Sequence, residues 1–167
     1  MKYYLDTEFN EGMRKPIWWL PTIGKFNKPK WQIELISIGI KCEDGRTYYA
    51  ISDEFNAATC NDWVVKNVLT KLERKYLYEF PYDSPHAVVP DYGVGIGYKN
   101  PVYKSLKQIA LEVELFCFPS TDKPYELPVF YGYYSDYDWV VLCSLWGAMI
   151  NLPKGFPMYC KDLKQSL

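Results

Sequence analysis

Asp6-Thr7-Glu8 places two carboxylates two residues apart at the end of an alternating, β-forming stretch, Lys2 to Thr7. Residues i and i+2 of a strand point to one side, so both acids project into the same place. Two ionised carboxylates held together repel unless a cation neutralises them. Hard oxygen donors in that arrangement suit Mg²⁺ or Mn²⁺. By itself the Asp-x-Glu pattern is unspecific and favours a solvated strand end over a metal site. A third acid sharpens the metal reading. In Tyr133-Tyr134-Ser135-Asp136-Tyr137-Asp138-Trp139 a strand gives way to a helix, and Asp138 lies near its N-terminus, where the helix dipole stabilises an anion. If the two strands are neighbours, Asp138 reaches the first pair. A plain capping role suits Asp136 better than Asp138.

The elements that must position these acids follow from periodicity. Lys2 to Thr7 is a first strand, Gln32 to Lys41 a second and Arg46 to Ser52 a third, with Asp44-Gly45 as the hairpin signal between the last two. Asn10 to Trp31 contains three prolines and no clear period, and reads as an extended loop. Val64, Val65, Val68, Leu69 and Leu72 recur at helical spacing behind Asn61 or Asp62 as a cap. Tyr76 to Lys99 is turn-rich and irregular. Asn100-Pro101 predicts the start of a second helix, running through Leu106, Ile109, Ala110, Val113 and Phe116 and stopping before Pro119. Pro128 to Tyr133 is a fourth strand and Ser135 to Met149 a third helix, broken by Asn151 to Pro157. Lys161 to Leu167 reads as the start of another helix. Hairpin-joined strands, then helices, then a returning strand and a helix predict an α/β protein with a mixed sheet flanked by helices.

Composition narrows the chemistry. A chain of 167 residues fits one domain, large enough to hold a core without disulfide staples. A net charge of −1 excludes a strongly basic non-specific nucleic-acid binder, but says little about an enzyme that grips one strand end through metal ions. Five scattered cysteines beside a single histidine disfavour a zinc site and suit reduced, buried thiols. Sixteen tyrosines and six tryptophans serve first as core and surface residues; such side chains also make faces on which nucleobases stack. There is no signal-peptide pattern and no apolar run long enough for a bilayer, so a cytoplasmic protein without a membrane partner is expected. Gly93-Val94-Gly95-Ile96-Gly97 lacks the spacing and the strand-to-helix turn of a dinucleotide site. For a serine or cysteine nucleophile, His86 is the one candidate base, and no partner residue suggests itself.

The Asp-Thr-Glu at the end of strand one, the aromatic-Asp pair at the third helix and the element order between them resemble the DnaQ-like, or DEDD, 3′–5′ exonucleases. The likeness extends to one branch. Asp6-Thr7-Glu8-Phe9, Ile33 to Gly39, Asp44-Gly45-Arg46 with Tyr48-Tyr49-Ala50, Trp63-Val64, Val68-Leu69, and Leu142-Cys143 with Leu145-Trp146-Gly147 are similar to the bacterial RNase AS family, small exoribonucleases described as polyadenylate-specific. The resemblance covers nearly the whole chain, with Asp-Thr-Glu-Phe and Leu-Cys-x-Leu-Trp-Gly its most specific parts. It implies a ribonuclease H-like fold and two Mg²⁺ or Mn²⁺ ions about 4 Å apart, held by Asp6, Glu8 and Asp138, which activate a water and stabilise the leaving 3′-oxygen. It also implies that Phe9, Glu34 and Tyr137 contact the substrate, and that the protein is a dimer. For Glu34 a surface role is an equal alternative.

Two departures from the family pattern stand out. The general-base histidine and fourth aspartate of these enzymes lie on a last helix with His-x4-Asp spacing, and the expectation is that this helix lies beyond Leu167. His86 and Asp91 satisfy the spacing but precede the third helix and flank Pro90, which argues for a loop histidine. Tyr134 and Asp138 match Tyr-x3-Asp by chance in so tyrosine-rich a chain. The second departure is residues 10–31, an insertion in which Arg14, Lys15, Lys25, Lys28 and Lys30 alternate with Trp18, Trp19, Phe26 and Trp31. Such a segment either grips and stacks a single strand or is pinned to the domain or to a dimer partner.

The sequence therefore predicts one ribonuclease H-like domain, residues 1–167, working as a metal-dependent 3′–5′ exonuclease. Single-stranded RNA is favoured over DNA by resemblance alone. The rivals are a catalytically silent module on the same fold, binding nucleic acid or protein, and a 3′–5′ DNA exonuclease.

Overall fold

The computed structural model describes residues 1–14, 30–72, 77–79, 88–90, 102–119 and 126–165. Two long strands, β1 (Lys2–Arg14) and β2 (Lys30–Cys42), pair antiparallel from Tyr3 opposite Cys42 to Arg14 opposite Lys30. The loop expected over residues 10–31 is therefore strand at both ends. Asn10, Glu11, Gly12 and Met13 have weak β pattern of their own, but each faces a residue of β2, and that pairing outweighs local preference. Most of the insertion's basic and aromatic residues, Lys15 to Lys28, lie outside the described residues; Trp31 is strand and 60% exposed.

β3 (Thr47–Ser52) returns antiparallel to β2 through the Asp44-Gly45 turn. Gly45 adopts φ +94°, and Asp44 Oδ1 accepts the Arg46 backbone N–H at 3.0 Å. Within the stretch expected to be irregular, β4 (Leu77–Glu79) and β5 (Val88–Pro90) form a small antiparallel pair of their own. Three parallel pairings complete the main sheet: β6 (Tyr103–Lys104) on β3, β7 (Val129–Gly132) on β1, and β8 (Lys161–Asp162) on β7. The order is β6-β3-β2-β1-β7-β8, a mixed six-stranded sheet flanked by helices, as in the α/β ribonuclease H-like fold.

The helices are shorter than periodicity predicts. α1 (Asp62–Asn67) is capped by Asn61, whose Oδ1 accepts Val64 N–H at 2.9 Å, but it tightens at Val68 into a 3₁₀ turn, Leu69–Lys71. α2 (Leu106–Cys117) is capped by Ser105; the expected start at Asn100-Pro101 lies outside the described residues, and Tyr103-Lys104 just before the cap is strand. α3 (Asp136–Ser144) ends five residues before Met149, where the chain turns through Gly147 at φ +79°. Neither Asp136 nor Asp138 caps it: Ser135 holds the N-cap position, without a side-chain capping bond. The helix expected from Lys161 is instead β8 followed by a turn. There Asp162 Oδ1 accepts the backbone N–H groups of Lys164 at 2.7 Å and Gln165 at 3.2 Å, an arrangement that competes with helix. No described helix is long and apolar enough to cross a membrane, and all five cysteines are free, with Cys42, Cys117 and Cys143 buried.

Two cores cover the two faces of the sheet. Tyr3, Leu5, Ile38, Ile40, Ala50 and Phe130 pack with α2 and α3, while Ile36, Ile51 and Phe55 pack with α1 and its 3₁₀ turn. Neighbours Ala50 and Ile51 belong to different cores, as strand alternation requires. Gly132 is the tightest joint. A Cβ there would sit 2.6 Å from Ser135 Cβ and 3.3 Å from the Leu5 carbonyl oxygen. Gly132→Ala is expected to cost about 1–3 kcal/mol of stability, seen as a lower urea midpoint with an unchanged m value.

Candidate active site

Along β1, Tyr3, Leu5 and Thr7 are buried against the α3 side, so the alternate residues Asp6 and Glu8 face the α1 side. Their cross-strand partners on β2 are small: Gly39 opposite Asp6 and Ser37 opposite Glu8. Just beyond, the register slips. Glu8 pairs with Ser37 but Phe9 with Leu35, leaving Ile36 as the extra residue of a bulge. The bulge puts Ile36 and Ile38, two residues apart, into different cores, where plain alternation would keep them on one side.

The small partners leave a cleft of about 310 Å³ over the sheet. Asp6, Glu8, Ser37, Gly39 and Tyr49 line it from the strands, and Asn67, Val68, Lys71 and Leu72 from α1 and the turn after it. Of these the sequence reading had singled out only the acids as functional. Asn67 and Lys71 stand four residues apart, a spacing that puts them on one helical face, but the passage from helix to 3₁₀ turn that aims them at the cleft leaves no sequence signal.

Both acids titrate high. Burial raises the Asp6 pKa first, and the charge of Asp138 adds to it. For Glu8 burial again leads, then Asp6; Lys71 pulls the other way, and Asp138 contributes a smaller rise. Neither acid forms an ion pair among the described residues.

Asp138, in the first turn of α3, reaches β1 from the opposite face. It is 8% exposed, and its Oδ1 accepts two hydrogen bonds from Thr7, from the backbone N–H at 2.9 Å and the hydroxyl at 2.6 Å. The turn that delivers it is held at both ends. Tyr134 takes the left-handed φ of 56°, uncommon away from glycine, and the next N–H, of Ser135, donates to Asp162 Oδ2 at 3.1 Å. The three predicted acids thus flank β1 from both sides, in the middle of the strand and not at the strand end that the sequence predicts, because β1 continues to Arg14. Among the described residues no group of three or more carboxylate, histidine or cysteine side chains is arranged to hold a metal ion.

Of the residues expected to touch substrate, Phe9 and Tyr137 come together. Their rings stack with centroids 5.6 Å apart and planes 11° from parallel, and Tyr137 is 51% exposed. Glu34 does not line the cleft; Oε1 accepts from Gln32 Nε2 at 2.7 Å and Oε2 from the Thr59 hydroxyl at 3.4 Å. His86 and Asp91 lie outside the described residues.

No protein-family model matches the sequence. Two curated proteins do, both named 3′–5′ exoribonuclease, from two strains of Mycobacterium tuberculosis. Each is 33% identical over 165 residues, covering 99% of this chain and 73% of the relative. The chain belongs to this 3′–5′ exoribonuclease family. In this exoribonuclease-family protein the aligned span takes in both strands of the long hairpin, the cleft and α3, so the whole site lies within the shared region.

The raised carboxylates have a thermodynamic signature. A folded-state pKa above the unfolded value means that the native state binds more protons, so the contribution is present at low pH and is lost as pH rises through the raised pKa. With chelator present, Asp6→Asn removes that loss. Its stability relative to wild type should therefore climb between about pH 3 and about pH 7, as read by urea denaturation at each pH. Parallel curves for the two proteins would show that Asp6 is not held unfavourably charged.

Proposed function

We propose that this protein is a metal-dependent 3′–5′ exoribonuclease of the DEDD type, close to the RNase AS branch, that removes nucleotides from the ends of single-stranded RNA. One observation carries the reading. In a chain of the exoribonuclease family, Asp6 and Glu8 share a cleft, and burial raises the pKa of both, with Asp138 adding to it at Asp6 and Asp6 at Glu8, and neither forms an ion pair among the described residues. Two hard oxygen donors in that state fit a divalent cation, whose charge would reverse the repulsion. Asp6 and Glu8 would hold Mg²⁺ or Mn²⁺, with Asp138 as the third acid at the same stretch of β1. The bound ions would supply a water nucleophile at neutral pH and charge for the leaving 3′-oxygen, as in other two-metal sites.

The remaining roles fall to the chain's own side chains. Gly39 and Ser37, opposite the acids, keep the cleft open for a nucleotide. Val68 and Leu72 give it an apolar wall, and Tyr49 a ring. The stacked Phe9 and Tyr137, on the Asp138 side of β1 and outside the cleft lining, offer an aromatic surface for an unpaired base. Thr7 fixes Asp138 through two hydrogen bonds, which keeps the third carboxylate from swinging away from β1.

Asp6→Ala and Glu8→Ala should each reduce Mn²⁺-dependent shortening of a 5′-labelled RNA from its 3′ end by at least about a hundredfold. Urea denaturation should show little loss of folding. Wild-type rates in either variant would remove the assignment. A wild-type protein that binds Mn²⁺ and RNA but leaves the RNA intact would instead be a silent binding module.

A further inference from the structure

On that reading of the cleft, we propose that Lys71 binds the phosphate of the 3′-terminal internucleotide linkage, and so is a substrate-binding residue of this site. Lys71 is the one basic side chain among the described residues that line the cleft. It faces two carboxylates, yet it forms no ion pair with either among the described residues.

Lys71 is exposed, but the backbone beneath it is anchored. Lys71 closes the 3₁₀ turn Leu69–Lys71, and its N–H donates to the Val68 carbonyl at 2.9 Å. Val68 and Leu69 are 4% and 0% exposed in the core under the turn. The stem of Lys71 therefore rises from an anchored platform, while Asn67 beside it is turned back to donate to the Trp63 carbonyl at 2.9 Å.

Charge then decides what the lysine meets. A cleft of about 310 Å³ is at the small end of ligand sites and admits about one nucleotide. The end of an RNA strand brings an anionic phosphate into the cleft, where the cations proposed at Asp6 and Glu8 would offset the acids and Lys71 adds positive charge from the α1 wall. A compact ammonium on a flexible stem is suited to meet that phosphate as a point charge, without the fixed fork geometry of arginine. The lysine adds no chemistry of its own; it holds the phosphate from the wall across from the acids.

The test is equilibrium binding of a 5′-labelled single-stranded RNA over a salt series, with Ca²⁺ in place of Mn²⁺. A second RNA carries a neutral methylphosphonate at its 3′-terminal linkage. Lys71→Ala is expected to weaken binding of the ordinary RNA roughly threefold to tenfold and to flatten the log–log salt slope by about 0.7. Lys71→Arg should restore the slope, and wild type and Lys71→Ala should bind the methylphosphonate RNA alike. Unchanged affinity and slope in Lys71→Ala would overturn the proposal, as would a deficit that persists on the neutral linkage. If wild type neither binds nor shortens RNA, the exoribonuclease reading itself fails, and the role of Lys71 falls with it. Equal urea midpoints for the three proteins separate all of these outcomes from misfolding.

Discussion

Asp138 Oδ1 accepts both hydrogen bonds that Thr7 has to give, one from the backbone and one from the hydroxyl, in a place nearly closed to water. A buried carboxylate is costly unless such donors surround it, and a hydrogen bond to a charged group contributes about 1.5–3 kcal/mol. The pair therefore ties the first turn of α3 to the middle of β1, 131 residues away in sequence. Much else in the molecule serves that joint. β7 must lie parallel and adjacent to β1, and the chain must leave β7 through the close approach at Gly132. The turn must also pass through the left-handed Tyr134, with Asp162 holding the N–H that follows. Each of these features would be a local oddity alone. Together they bring one acid to the middle of one strand.

β1 does its work by being two-faced. Odd-numbered residues from Tyr3 to Thr7 go into the α2 and α3 core or bond to Asp138, while Asp6 and Glu8 stand in the cleft beneath α1. Because Thr7 lies between the two acids, the same short segment reads the position of α3 on one side and presents carboxylates on the other. A shift of one residue in register would bury the acids and expose the apolar set, so the long pairing with β2 protects the site as well as the fold. The bulge at Ile36 closes this regular region just past Glu8, and the hairpin beyond it is free to follow a different alternation.

How much of this was legible in the sequence depends on whether the signal was local. The shared face of Asp6 and Glu8 follows from a period of two with no competitor, and Asp44-Gly45 is a turn wherever it occurs between strands. The same locality misleads elsewhere. Residues 10–14 and 30–31 carry no strand pattern, and become strand only because each finds a partner across the hairpin. Lys161 to Leu167 has fair helix-forming composition, yet parallel pairing with β7 and the acceptor capacity of Asp162 settle its described part, Lys161 to Gln165, as strand and turn. The predicted helix from Asn61 to Leu72 has the right start and the right buried residues; the tightening at Val68 arises from tertiary packing, and with it the placement of Lys71. The acids of the candidate site were readable, whereas the wall opposite them was not.

The sheet ends in two-residue strands on both sides, β6 at one edge and β8 at the other. A stray extended peptide recruits itself to a sheet by finding a run of unpaired backbone groups long enough to fix its alignment, and strands this brief offer almost none. At these two ends of the sheet, edge-to-edge zippering, the usual hazard of an open sheet, is correspondingly discouraged; the far half of the long hairpin, where neither β3 nor β7 reaches, is the one stretch of the main sheet among the described residues left to present a longer edge. An extended polymer without amides meets the same geometry differently. It has no amide ladder to match, so it gains nothing at any of these edges.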